Sequence, residues 1–135
     1  MLKAVTKKAK KINKSIKVLG VTILTSLDNK SVREIGYKNK VEKLVLKQVS
    51  LIKKSGASGV ICSAHEAKII RKKFKNLFIV TPGIRLPGDE ENDQKRITTP
   101  KQAFQNKASA IVIGRSITTG SPKKNIKKLI DHLNQ

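Results

Sequence analysis

Two stretches of this chain carry residues that could grip an anion. Ile113-Gly114-Arg115-Ser116 closes an apolar run that begins at Ala110. A glycine there leaves its amide approachable, with no Cβ in the way, and the adjacent guanidinium can fork onto a phosphate. A turn with a solvated arginine accounts for the same residues equally well. The second stretch, Thr81 to Thr99, is long for a strand-to-helix connection. It carries Arg85, Gln94 and Arg96, donors enough to close over an anionic ligand, although a mobile polar insertion would have the same composition. Thr25-Ser26-Leu27-Asp28 and Cys62-Ser63-Ala64 are two further places where loops leave apolar runs.

These loops need strands and helices to hold them, and the apolar periodicity supplies both. Leu2, Val5, Ala9, Ile12 and Ile16 form one helical stripe over residues 1–17. A basic amphipathic helix can lie on a membrane or act as a targeting peptide, but the lack of large aromatics favours docking on a sheet. Val18 to Thr25 reads as a strand covered on both faces. A helix follows over about 38–55, with Val41, Leu44, Val45, Val49 and Ile52 on one side and a stop at Ser55-Gly56. Gly59 to Cys62 is the next strand, and Ser63-Ala64-His65-Glu66 has the spacing of a capping box opening a helix to about Phe74. Leu77 to Thr81 is a third strand. Thr99-Pro100 starts another helix, and Ala110 to Ile113 is the fourth strand. The last helix begins near Ser121-Pro122, with Ile126, Leu129, Ile130 and Leu133 expected on its inner face. A helix followed by four strand-helix units, with no hairpin signal, predicts an α/β fold with a parallel sheet. Ligands in such folds sit where strands run into helices, which is where the four loop sites lie.

At 135 residues the chain fits one domain. No apolar run approaches a membrane span, and the Lys-rich start lacks the apolar stretch of a secretory signal. The lone cysteine, Cys62, excludes an internal disulfide and fits a reducing cytoplasm. A net charge of +21 invites a nucleic-acid partner. Against it stand 25 Lys to only 5 Arg, just four aromatic residues, and lysines spread over every expected helix. A general lysine bias on solvated helix faces is the plainer cause, and nucleic acid is not the expected partner.

Six motifs in series resemble the second half of bacterial orotidine 5′-phosphate decarboxylases, over essentially the whole chain. They are Val21-Thr22-Ile23-Leu24-Thr25-Ser26, Gly59 to Ala67, Thr81-Pro82-Gly83-Ile84-Arg85, Asp93-Gln94-Lys95-Arg96, Thr99-Pro100 and Val112 to Thr118. The resemblance implies a single partial domain over residues 1–135, made of the fifth to eighth strands of a (β/α)8 TIM barrel. It implies a homodimeric enzyme that converts orotidine 5′-monophosphate to UMP and CO2 in pyrimidine synthesis, without metal or organic cofactor. Carried over by position, Thr25 would contact the pyrimidine. Arg85 and Gln94 would belong to the loop that closes over the nucleotide, and Gly114 and Arg115 to the phosphate site. Arg96 gains no clear role and is left as a surface residue, while Cys62 and His65 would serve packing and helix capping.

The family's catalytic lysines and aspartates, on a D-x-K-x-x-D-like strand end, have no counterpart here. Asp28, Asp89 and Asp93 stand in the wrong places to replace them. In the family that array stabilises charge developing on the pyrimidine and delivers a proton, so the chain alone is expected not to turn over. Met1 falls where the family commonly has an internal methionine, which implies either an internal start or a split or degraded gene. A non-catalytic phosphate- or nucleotide-binding half-barrel is the alternative function, with a basic nucleic-acid-binding protein ranked below it.

Overall fold

The computed structural model describes residues 1–90 and 95–134. Its centre is a four-stranded parallel sheet in the order β1-β2-β3-β4, formed by Leu19–Val21, Gly59–Ile61, Phe78–Thr81 and Ala110–Ile111. Val21 pairs with Ile61, Ile61 with Val80, and Val80 with Ala110. Sequential order with every strand parallel requires a crossover after each strand, and this is the architecture of half a (β/α)8 barrel.

Helices cover one face. α3 (Val41–Lys54) buries Val41, Leu44, Val45, Val49 and Ile52, the side predicted from their spacing. It stops at Ser55-Gly56, with Gly56 at φ +79°. α4 (Ala64–Lys73) buries Ala67 and Ile70, and both helices pack on Val60 and Ile79. Because side chains alternate along a strand, the other row of the sheet points away from α3 and α4. There Val21 and, beyond β4, Val112 stand exposed.

The ends of the chain depart from the predicted pattern. α1 (Leu2–Ile12) stops five residues early. Asn13 turns extended, and its Oδ1 accepts from the Ser15 amide and hydroxyl, each at 2.8 Å. That local side-chain turn outcompetes the helix. Thr6 is the buried residue of α1, and Val5, Ile12 and Ile16 are exposed. α7 (Pro122–Asn134) forms as expected but buries none of its residues. Two short helices have no counterpart in the periodicity. α2 (Asn29–Glu34) is capped by Asp28, whose carboxylate accepts from the Ser31 amide at 2.8 Å. α6 (Arg115–Thr118) follows Gly114 at its N-cap. α5 (Pro100–Gln105) begins as predicted, with Thr99 accepting from the Gln102 amide at 3.3 Å.

Candidate functional site

The long loop after β3 is closed at its base. Gly83 takes φ +75°, a value that favours glycine, and turns the chain so that Ile84 bridges Thr98. The Thr98 amide donates to Gly83 O and the Arg85 amide to Thr98 O, both at 3.1 Å. An insertion that looks structureless in sequence therefore leaves and returns through one paired stem.

Arg85 stands just above this stem with 7% of its surface exposed. Its Nε donates to Glu90 O at 3.2 Å and its Nη1 to Ile84 O at 3.0 Å. Nη2 meets no acceptor among the described residues. A buried guanidinium with an unused donor is costly unless something completes it. The Arg85 side chain also lines a depression of about 350 Å³, together with Asp89, Glu90, Arg115, Ser116 and Asn125 among others. Two arginines far apart in sequence thus meet at one opening.

The far wall comes from the β4 exit. Gly114 is the N-cap of α6, and a Cβ placed there would meet nothing within 4 Å. Crowding by the fold therefore does not select glycine at this position, whereas close approach of a ligand would. Ile117 and Thr118 amides bond back to Gly114 O, so the Arg115 and Ser116 amides lie before the first rung of the helix ladder. Ser116 is 9% exposed, and its hydroxyl has no partner among the described residues. Asn125, from α7, donates to Ile117 O at 3.1 Å and Thr119 O at 2.7 Å and so ties α7 to this wall. Asn125 carries no sequence signal, and only the fold brings it here. Asp89 and Glu90 offset part of the arginine charge. The net field at the opening is correspondingly weaker, and what two guanidinium groups can offer there is forked hydrogen bonds. Asp89 is also engaged in the loop, its Oδ2 accepting from the Leu86 amide at 3.1 Å.

Thr25 does not line this depression. It is buried at the β1 exit, with its backbone oxygen accepting the Arg96 amide at 3.2 Å and its side chain against Gly83. Gln94 lies outside the described residues.

Arg96 corrects an expectation, because it is not a surface residue. Its side chain is 11% exposed and pairs with Glu66, itself 8% exposed. Its Nη2 reaches Ile23 O at 3.2 Å and Leu24 O at 3.0 Å. Lys95 beside it bonds Ser31 Oγ at 3.0 Å and pairs with Asp28 at 3.4 Å. The returning arm of the loop is thereby fastened to the β1 exit and to α4. Burial pushes the Glu66 carboxyl above its usual range, with the Arg96 charge acting against the shift. The expected capping box is only partly realised. Ser63 accepts from the His65 amide at 3.3 Å, while Glu66 commits Oε1 to Arg96. The His65 ring contacts Ile97 O at 3.1 Å, a second tie to the loop arm. Cys62 is buried, and burial raises its thiol to about 12, which removes it as a nucleophile at neutral pH. Among the described residues no cluster of three or more His, Cys, Asp or Glu is placed to hold a metal ion. No described helix is long and apolar enough to cross a membrane.

Comparisons with known proteins agree with this architecture. Residues 1–129 match the family model of the orotidine 5′-phosphate decarboxylase / HUMPS family. An orotidine 5′-phosphate decarboxylase of Coxiella burnetii (strain RSA 331 / Henzerling II) is 45% identical over 115 residues, covering 84% of this chain and 49% of that protein. The crystal structure of orotidine 5′-phosphate decarboxylase from Lactobacillus acidophilus superposes with a TM-score of 0.68 at 37% identity, over 88% of this chain and 50% of that one. A conserved protein of uncharacterised function from Geobacillus kaustophilus gives a TM-score of 0.74 at 27% identity, over 99% of this chain and 58% of its own. The chain spans about half the length of the relatives it matches.

Proposed function

The chain belongs to the orotidine 5′-phosphate decarboxylase / HUMPS family, and from that premise we propose that it is the phosphate-gripping half of a decarboxylase acting on orotidine 5′-monophosphate. The observation that carries the proposal is the meeting of Arg85 and Arg115 at one depression, with Arg85 Nη2 and Ser116 Oγ lacking partners among the described residues. A phosphate dianion offers acceptor oxygens to both guanidinium groups at once. Gly114 would let it approach the first amides of α6, and Gln94 would close over it from the loop. Thr25, at the β1 exit, would face the pyrimidine. Holding the phosphate fixes the distant ring, which is how binding at a non-reacting group can lower the barrier at the reacting one.

The decarboxylation step itself needs charge stabilisation and a proton donor beside the ring carbon that loses CO2. Such a lysine-aspartate array is absent from the sequence, so activity would require four further strand-helix units to supply it. The finished barrel would act in the cytoplasm as a homodimer, with no metal or organic cofactor. CO2 release from orotidine 5′-monophosphate tests the proposal. The chain alone should release none, and adding the N-terminal half of a family member should restore turnover. Turnover by the chain alone near that of a full-length relative would overturn it.

A further inference from the structure

The N-terminal ends of the strands lie at the opposite end of the sheet from the Arg85–Arg115 depression. Residues 10–18, 53–58, 71–78 and 105–109 lead into them, and they contain ten lysines, one arginine and no acid. Asp28, Glu42, Glu66, Asp89 and Glu90 instead follow strands or open helices, at the other end. Among the described acids, Glu34 at the end of α2 and Asp131 in the last turn of α7 are exceptions. Along the chain the lysines look scattered, but parallel crossovers bring successive helix ends to one side of the sheet. Helix dipoles favour a cation in each last turn. They do not account for Lys14, Lys17 and Lys75, which lie in loops.

Two adjoining depressions, about 570 and 550 Å³, run along this end and share Ser58, Asn76 and Leu77. Lys10, Lys53, Lys72, Lys73 and Lys75 line the first, and Lys14 and Lys17 the second. Arg71 serves the scaffold, donating to Lys75 O and Leu77 O at 2.7 Å each and to Ser109 Oγ at 2.8 Å. Lys53 lies over the Phe74 ring at 5.4 Å and Lys17 over Phe78 at 4.6 Å, so each ring here has an ammonium group over one face. Lys10 is steadied by a 3.2 Å bond to Gly56 O.

We infer that this concave, acid-free track binds the phosphate backbone of a single-stranded nucleic acid, a site separate from the proposed nucleotide site. A row of lysine point charges matches a chain of phosphates. With two rings already paired to ammonium groups and Arg71 committed to the scaffold, the track is poorly equipped to stack or read bases, so binding is indifferent to sequence. Its concavity suits a strand better than the flat surface of an anionic bilayer.

The test uses a fluorescent single-stranded oligoadenylate without terminal phosphates, titrated at several salt concentrations. Changing Lys10, Lys53, Lys72, Lys73 and Lys75 to Gln should weaken binding about tenfold or more and reduce the salt slope by about 3. Removing the same charge at Lys43, Lys123, Lys124, Lys127 and Lys128 should change affinity less than about threefold. Arginine at the five track positions should preserve binding, and the milder pair Lys72→Gln and Lys75→Gln should weaken it, should the fivefold variant misfold. Equal losses from the two sets would make binding a matter of net charge and overturn the inference. Displacement by excess UMP, or track-dependent binding to phosphatidylserine vesicles with none to the oligoadenylate, would overturn it as well.

Discussion

The two sides of the sheet are built to different standards. Over β1 to β3, helices α3 and α4 leave Val45, Val49, Val60, Ile70 and Ile79 with no exposed surface. At the β4 edge the strand has two residues, α7 buries none, and Ile126, Ile130 and Leu133 remain exposed. The proposed phosphate site straddles this boundary. Arg85 rises from the paired stem of the firm side, whereas Arg115 and Asn125 belong to the thin side. Local stability follows buried apolar contact, so a ligand held between the two sides should be ordered by one and should order the other.

The largest effect should come from the firm side. Arg96→Ala strands Glu66 in a buried place, and loss of one partner of such a pair costs about 3–5 kcal/mol. Urea unfolding at neutral pH should show it. The burial that raises the Glu66 carboxyl above its usual range of 4.5 sets the sign with pH. A raised folded value means the native state binds the extra proton. The destabilisation should therefore be least below about 4.5 and grow as pH rises through the raised value. A variant equally unstable at acidic and neutral pH would contradict the buried pair.

A smaller effect separates the two faces of the comparison directly. Ile79→Ala, in the covered core, should cost about 2–4 kcal/mol, whereas Ile130→Ala on α7 should stay within about 0.5 kcal/mol. Equal costs by thermal unfolding would mean that something covers α7 after all. The smallest change expected is one of dynamics. UMP should slow amide hydrogen exchange in α6 and α7 and leave α3 unaltered, and slowing confined to α3 would place the ligand elsewhere.

How much of this was legible from sequence depended on how local each signal was. The buried face of α3 follows from Val41, Leu44, Val45, Val49 and Ile52 alone, because helical spacing fixes which side chains share a face. The same spacing in α7 told which side is apolar but not whether anything lies against it. In α1 the stripe ran through Asn13, whose own side-chain turn ended the helix. The Asp28-x-x-Ser31 cap was a readable signal for α2 that periodicity passed over. In the site, the Gly114-Arg115 motif and Arg85 could be nominated from their loops. Their meeting with each other and with Asn125 rests on the sheet order. The Glu66–Arg96 pair joins residues thirty positions apart, and the local capping-box pattern at Ser63 pointed Glu66 to a different partner. Gln94, nominated with them, lies outside the described residues.

The most direct measurement is a double-mutant cycle on UMP affinity, with uridine as the phosphate-free control, in protein completed by the other four strand-helix units. Arg85→Ala and Arg115→Ala should each weaken UMP binding about ten- to a hundredfold. Together they should lose less than the sum, and uridine affinity should hardly move. UMP affinity left intact by Arg115→Ala, or uridine weakened as much as UMP, would contradict the claim that both guanidinium groups grip one phosphate.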